Sequence, residues 1–79
     1  MEFTYDPRYS IAYLRLRSDL GRDLESIRIS DELVVDMAPD GTVYGIELLN
    51  ANAQLTQLSS GELVVVNEAT GDRSALPLS

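Results

Sequence analysis

The stretch "DMAPDGTVYGIE", residues 36–47, decides how this chain folds, because it can be read in two incompatible ways. Counted against a twelve-residue calcium loop, it puts Asp36 at position one, Asp40 at five, Gly41 at six, Val43 at eight and Glu47 at twelve. Such a loop also needs an oxygen ligand at position three and a helix on each side. Position three is Ala38 and position four is Pro39, and the flanks "DELVV" and "LLNA" carry aliphatic side chains in strand-like order. In an extended strand Glu47 would stand about 20 Å from the turn, at about 3.4 Å per residue, too far to curl back onto Asp40. The alternative is a β-hairpin. "A-P-D-G" has Pro39 at i+1, Asp40 at i+2 and Gly41 at i+3, a type I turn closed through a glycine at positive φ.

Working outward, two-residue alternation dominates, cut at short intervals by turn chemistry. "EFTY" and "SIAYLRLR" are strands joined by a turn at Asp6-Pro7. The second strand places Ala12, Leu14 and Leu16 on one face and Ile11, Tyr13, Arg15 and Arg17 on the other. "SDLGRDL" is a polar connection, "ESIRIS" a short strand, and "DELVVDM" and "TVYGIELL" the two strongest strands. After Leu49 the period changes. Asn50 or Asn52 offers an N-cap, Leu55 and Leu58 lie three apart, and Gly61 offers a stop, which predicts one short helix near residues 51–59. "ELVVV" and "SALPL" then form a terminal hairpin across "NEATGDR", with Pro77 confining the last strand to an edge. The expected fold is α+β and β-rich: one domain over residues 1–79, with an antiparallel sheet of five to seven strands and one short helix packed on a face. Residues 60–79 form a C-terminal hairpin extension to a core of residues 1–59.

The chain has 13 acidic and 6 basic residues, no cysteine and no histidine, for a net charge of −7. Residues 1–28 are neutral, with five acids and five arginines. Residues 29–79 hold eight acids against the lone Arg73. A field of that sign repels nucleic acid and anionic membranes and favours a basic protein partner. The absence of cysteine fits a reducing, cytoplasmic compartment. The opening "MEFTYDPRYS" reads as acidic and polar rather than as a leader, and no apolar run approaches bilayer length.

Catalysis is narrowed by residue types. With no histidine, lysine or cysteine, the triad and Schiff-base mechanisms have no nucleophile–base pair to use. Carboxylates are then the only general bases, and zinc lacks a ligand set. The expectation is a chain with no catalytic residues, no metal site and no cofactor. Tyr5, Tyr9 and Tyr13 gather around the first turn near Arg15 and Arg17. Stacked bases would suit that grouping, but the net acidity favours tyrosines half-buried on a sheet with wet hydroxyls. Glu47, set among apolar neighbours in "GIELL", is expected to pair across strands with Arg15 or Arg28.

Two segments resemble a known family. "YDPRYSIAYLRL", residues 5–16, is similar to the opening of the prokaryotic family termed domain of unknown function 2283, with its Tyr5-Asp6-Pro7 hairpin and its Tyr13, Arg15 strand. "VVDMAPDGTVYGIELLNA", residues 34–51, is similar to the family's second motif, carried by Pro39, Asp40, Gly41, Gly45 and Glu47. The chain departs at Arg8 and Ser10, where the family often has acidic residues, and the resemblance stops short of residues 60–79. It implies a small β-rich fold without an established activity, and an antitoxin-like role for members encoded beside small toxin-like proteins. The expected function is a non-enzymatic interaction module, antitoxin-like, with a basic partner. Two alternatives stay open: a weak metal- or small-molecule-binding module, and a hydrolase site completed across an oligomer interface. "LVVV" (residues 63–66) is apolar on both faces of one strand, and the single helix covers little, so a homodimer is expected.

Overall fold

The computed structural model describes residues 1–58 and 60–78. Seven strands form: β1 (Glu2–Asp6), β2 (Ile11–Arg15), β3 (Glu25–Ser30), β4 (Leu33–Met37), β5 (Val43–Leu49), β6 (Glu62–Val66) and β7 (Arg73–Pro77). They divide into a five-stranded antiparallel sheet, ordered β1-β2-β5-β4-β3, and a separate β6–β7 hairpin. The architecture is therefore the expected β-rich one. The strands β3-β4-β5 are a meander, and β2 closes onto the far side of β5.

Register sorts the side chains. Tyr13 opposes Thr4 and Glu47, Glu47 opposes Val34, and Asp36 opposes both Gly45 and Ser26. These residues share one face, with Glu2, Asp6, Arg15 and Arg28. The other face carries Phe3, Tyr5, Ala12, Leu14, Ile46, Leu48, Leu33, Val35 and Ile27. One face is mostly polar, with Ile11, Val34 and Leu49 its apolar members, and the other is apolar. That asymmetry is what holds the register, since a slip of one residue would turn the apolar set outward.

The apolar face is only partly covered. Among the described residues, the buried hydrophobic side chains are Ala12, Tyr44 and Ala51. The connection after β2 crosses one end of this face, where the Tyr44 hydroxyl donates to the carbonyl of Asp19 at 2.9 Å. The opposite end is held by the segment after β5. The amides of Ala51 and Asn52 donate to the carbonyl and hydroxyl of Ser10, each at 2.9 Å.

The turn between β4 and β5 is the one "APDG" encodes. The Gly41 amide donates to the Ala38 carbonyl at 2.9 Å and the Ala38 amide to the Thr42 carbonyl at 2.8 Å, with Gly41 at φ 87°. Asp40 Oδ1 accepts from the Thr42 amide at 3.0 Å and the Thr42 hydroxyl at 2.7 Å, which holds its carboxyl below the ordinary value. Replacing Gly41 with valine is expected to destabilise the fold by about 1–3 kcal/mol, because a β-branched residue is strained at that φ. A fall in the urea midpoint checks it.

The helix differs from expectation. Its regular part is a π-helix, Ala53–Gln57, in which the Leu58 amide reaches back five residues to the Ala53 carbonyl at 2.8 Å. Neither asparagine caps it with its side chain. Asn50 adopts φ 53° and its side-chain Nδ2 donates to Glu32 Oε2 at 2.9 Å, while the side chain of Asn52 turns to the first hairpin. The wider π winding no longer aligns residues three apart, so Leu58 points into solvent, 81% exposed, and does not cover the sheet with Leu55. Ser59, at the expected end of the helix, lies outside the described residues.

Candidate functional site

The polar face is built around Tyr13. Its side chain leaves β2, crosses β5 over Gly45, and donates its hydroxyl to Asp36 Oδ2 on β4 at 2.7 Å. The Ser26 hydroxyl on β3 donates to the other oxygen, Asp36 Oδ1, at 2.6 Å. Four adjacent strands are thus tied by one Tyr–Asp–Ser chain. Gly45 makes the crossing possible: a Cβ there would overlap the Tyr13 ring and hydroxyl. The glycine is required by space, since its φ is not left-handed.

Desolvation, then the hydrogen bond and negative charge of Asp36, push the Tyr13 hydroxyl far above the ordinary tyrosine range. A group so raised is a poor proton acceptor or donor near neutrality. Because the raised pKa belongs to the folded state, the contribution of the neutral hydroxyl is intact below the ordinary value of 10.0. It is lost as pH rises through the folded value. In an ultraviolet-monitored alkaline titration, the wild type is expected to show a tyrosine ionising late, and Tyr13→Phe to lack that step.

Around this chain lie Glu47, Arg15, Glu2 and Arg28. The expected pairing of Glu47 with an arginine does not form. Arg15 instead reaches Glu2 Oε1 across the β1–β2 pair at 3.8 Å, and its Nε is buried without a hydrogen-bond partner. Arg28 donates to the Ser30 carbonyl at 3.2 Å. Glu47 lies half-buried between Tyr13 and Val34, and among the described residues it makes no ion pair. The β3 bulge between Arg28 and Ser30 carries Arg28 along its own strand, and Glu2 offers Arg15 an exposed carboxylate.

The first hairpin is a second polar cluster. Asp6 accepts the Arg8 amide at 3.0 Å and its guanidinium at 3.0 and 2.9 Å, and the side-chain hydrogen bonds from Arg8 hold the Asp6 carboxyl below its ordinary value. Arg8 also lies over the Tyr9 ring, 5.5 Å from its centroid. Pro7 donates nothing, but its carbonyl accepts from Asn52 Nδ2 at 3.0 Å, while the Tyr5 hydroxyl donates to Asn52 Oδ1 at 2.6 Å. The tyrosines therefore do not form one group. Tyr5 and Tyr13 occupy opposite faces, each with its hydroxyl hydrogen-bonded to a side chain, and Tyr9 is exposed.

Pro39, Asp40 and Gly41 sit apart from both clusters, beside a cleft of about 320 Å³ between the β4–β5 turn and residues 17–24. Arg17 in that cleft is occupied by Asp19 at 2.9 Å, the Thr42 hydroxyl at 2.7 Å and Asp40 at 3.6 Å. Ser26, Asn52 and the use of Asp36 were not legible beforehand, because each partner lies on a strand whose neighbour depends on sheet order. With both Asp36 oxygens accepting hydrogen bonds, calcium titration is expected to give no dissociation constant below about 10 μM, the range of calcium sensors.

The profile of the family described as "Protein of unknown function (DUF2283)" matches residues 2–52. The chain belongs to this family. The DUF2283 match spans all five strands of the main sheet, including Tyr13, Asp36, Gly45 and Glu47, and reaches Asn52. The β6–β7 hairpin lies outside it. No curated protein and no solved structure matches the chain.

Proposed function

We propose that this chain is a non-enzymatic interaction module that engages a basic protein through the polar face of its sheet, as the acidic half of an antitoxin-like pair. The observation that supports this reading is the shape and charge of that face. The first hairpin's Asn52 contact, the connection after β2 and the β6–β7 hairpin all meet the opposite face. The polar face is broad and pre-ordered, and small-molecule sites are characteristically concave. Glu2, Asp6, Asp36 and Glu47 outnumber Arg15 and Arg28 on it, and the whole chain carries −7. Complementary charge of this kind sets specificity and association rate.

The test is co-expression with any small basic protein encoded in an adjacent reading frame, followed by mass measurement of the purified complex. A hetero-complex that weakens with salt, and weakens further in Glu47→Arg, supports the reading. A chain that binds no such protein but gains thermal stability with a metal ion or metabolite would replace it with a ligand-binding role.

A further inference from the structure

The β6–β7 hairpin is apolar on both sides. Leu63 opposes Leu76 on one, Val64 opposes Ala75 on the other, and Leu63, Val64, Val65, Val66 and Leu76 are all more than a third exposed. A two-stranded hairpin standing alone is at best marginally stable in water. Its own sheet gives little support: a cavity of about 500 Å³ separates Leu63, Leu76, Pro77 and Leu78 from Phe3, Leu14 and Met1.

We propose that two copies of this chain pair through their β6–β7 hairpins, each pressing the other's hairpin onto its sheet. The proposal is independent of the basic partner, which uses the opposite face. Three observations select a second copy as the occupant. First, the chain exposes 5710 Å², against about 4,700 Å² expected for a folded monomer of 8.7 kDa. The excess, about 1,000 Å², is close to the roughly 800 Å² that each partner buries in a standard interface. The radius of gyration, 13.9 Å, likewise exceeds the roughly 11.6 Å of a compact chain this long.

Second, the hairpin side bearing Val64, Val66 and Ala75 is apolar at its centre, with Glu62 and Arg73 on the same side at its ends. Between Leu63 and Val66 there is no ionisable group, so it asks for another apolar surface rather than a basic one. Third, a stack of sheet, hairpin, hairpin and sheet keeps the two acidic faces outermost. With layers about 10 Å apart they stand about 30 Å from each other, well beyond the screening length of physiological salt. The acidic sheet faces therefore do not oppose this arrangement, and the hairpin itself, with Glu62, Glu68 and Asp72 against Arg73, carries only −2 of the −7.

Light scattering after size exclusion is expected to give about 17 kDa, twice the 8.7 kDa chain. The thermal midpoint is expected to rise between about 1 and about 100 μM protein, as mass action requires of a dimer. The double variant Val64→Glu, Val66→Glu is expected to run at the single-chain mass with unchanged strand circular dichroism and a concentration-independent midpoint. Should it fail to fold, Ala75→Glu carries the same test from the same side of the hairpin. A wild-type chain at single-chain mass with a flat midpoint overturns the proposal, as does a folded hairpin variant that stays dimeric.

Discussion

Gly45→Val is expected to destabilise the protein by about 1–5 kcal/mol, although valine has the higher strand propensity. Propensity would favour valine by up to about 1 kcal/mol. Against it, the added Cβ falls inside the Tyr13 ring and hydroxyl, and overpacking of that kind costs about 1–3 kcal/mol. If the ring swings away, Asp36 loses the 2.7 Å hydrogen bond that links β2 to β4, and a half-buried acceptor losing its partner costs a further 1–3 kcal/mol or about that. A domain of 79 residues has only about 4–12 kcal/mol to lose. The measurement is urea unfolding. The cause is checked by combining Gly45→Val with Tyr13→Ala: removing the ring should make the glycine substitution far less damaging, a coupling that additive effects would not show.

On the other side of the same strand, Tyr44→Ala is expected to cost about 3–5 kcal/mol, in the range of aromatic truncations in cores. Tyr44 is the large side chain among the buried hydrophobic residues, the others being Ala12 and Ala51. Its ring lies under Gly21 and its hydroxyl holds the Asp19 carbonyl, so it fastens residues 16–24 to the sheet. Tyr44→Phe keeps the ring and should cost only about 1 kcal/mol, the net worth of one hydrogen bond. Equal losses in the two variants would mean that the hydroxyl, and not the ring, secures the connection. Hydrogen exchange of residues 16–24 should accelerate in Tyr44→Ala before the rest of the sheet is affected.

Both expectations concern β5, the central strand, and show why part of the fold was legible and part was not. The Gly41 turn, the alternation of Ala12 and Leu14 against Tyr13 and Arg15, and the edge role of Pro77 all follow from local rules. Each depends on the geometry of a few consecutive residues. The family motif residues Tyr13, Gly45 and Glu47 were likewise visible as a pattern. Their relation was not, because a strand's sequence records which side chains share a face but not which strand lies beside it. Asn52 shows the same limit at a helix start. Its type favours capping, yet hydrogen bonds to Tyr5 and Pro7, across 47 and 45 positions, take the side chain instead. With Leu58, the π winding overrode a three-residue spacing that reads as helical packing.

Sequence alone therefore determined most of the local conformation: five to seven antiparallel strands, of which seven form, their turns, the polar and apolar sides of each, and the charge of −7. Only the tertiary structure decided that β2 lies against β5, that Tyr13 crosses to Asp36, and that the hairpin stands apart from the main sheet. The physical reason is that backbone preference and alternation act over a few residues, whereas strand order is selected by close approach between distant ones. At the centre of this sheet, that approach is a tyrosine ring lying where Gly45 has no side chain.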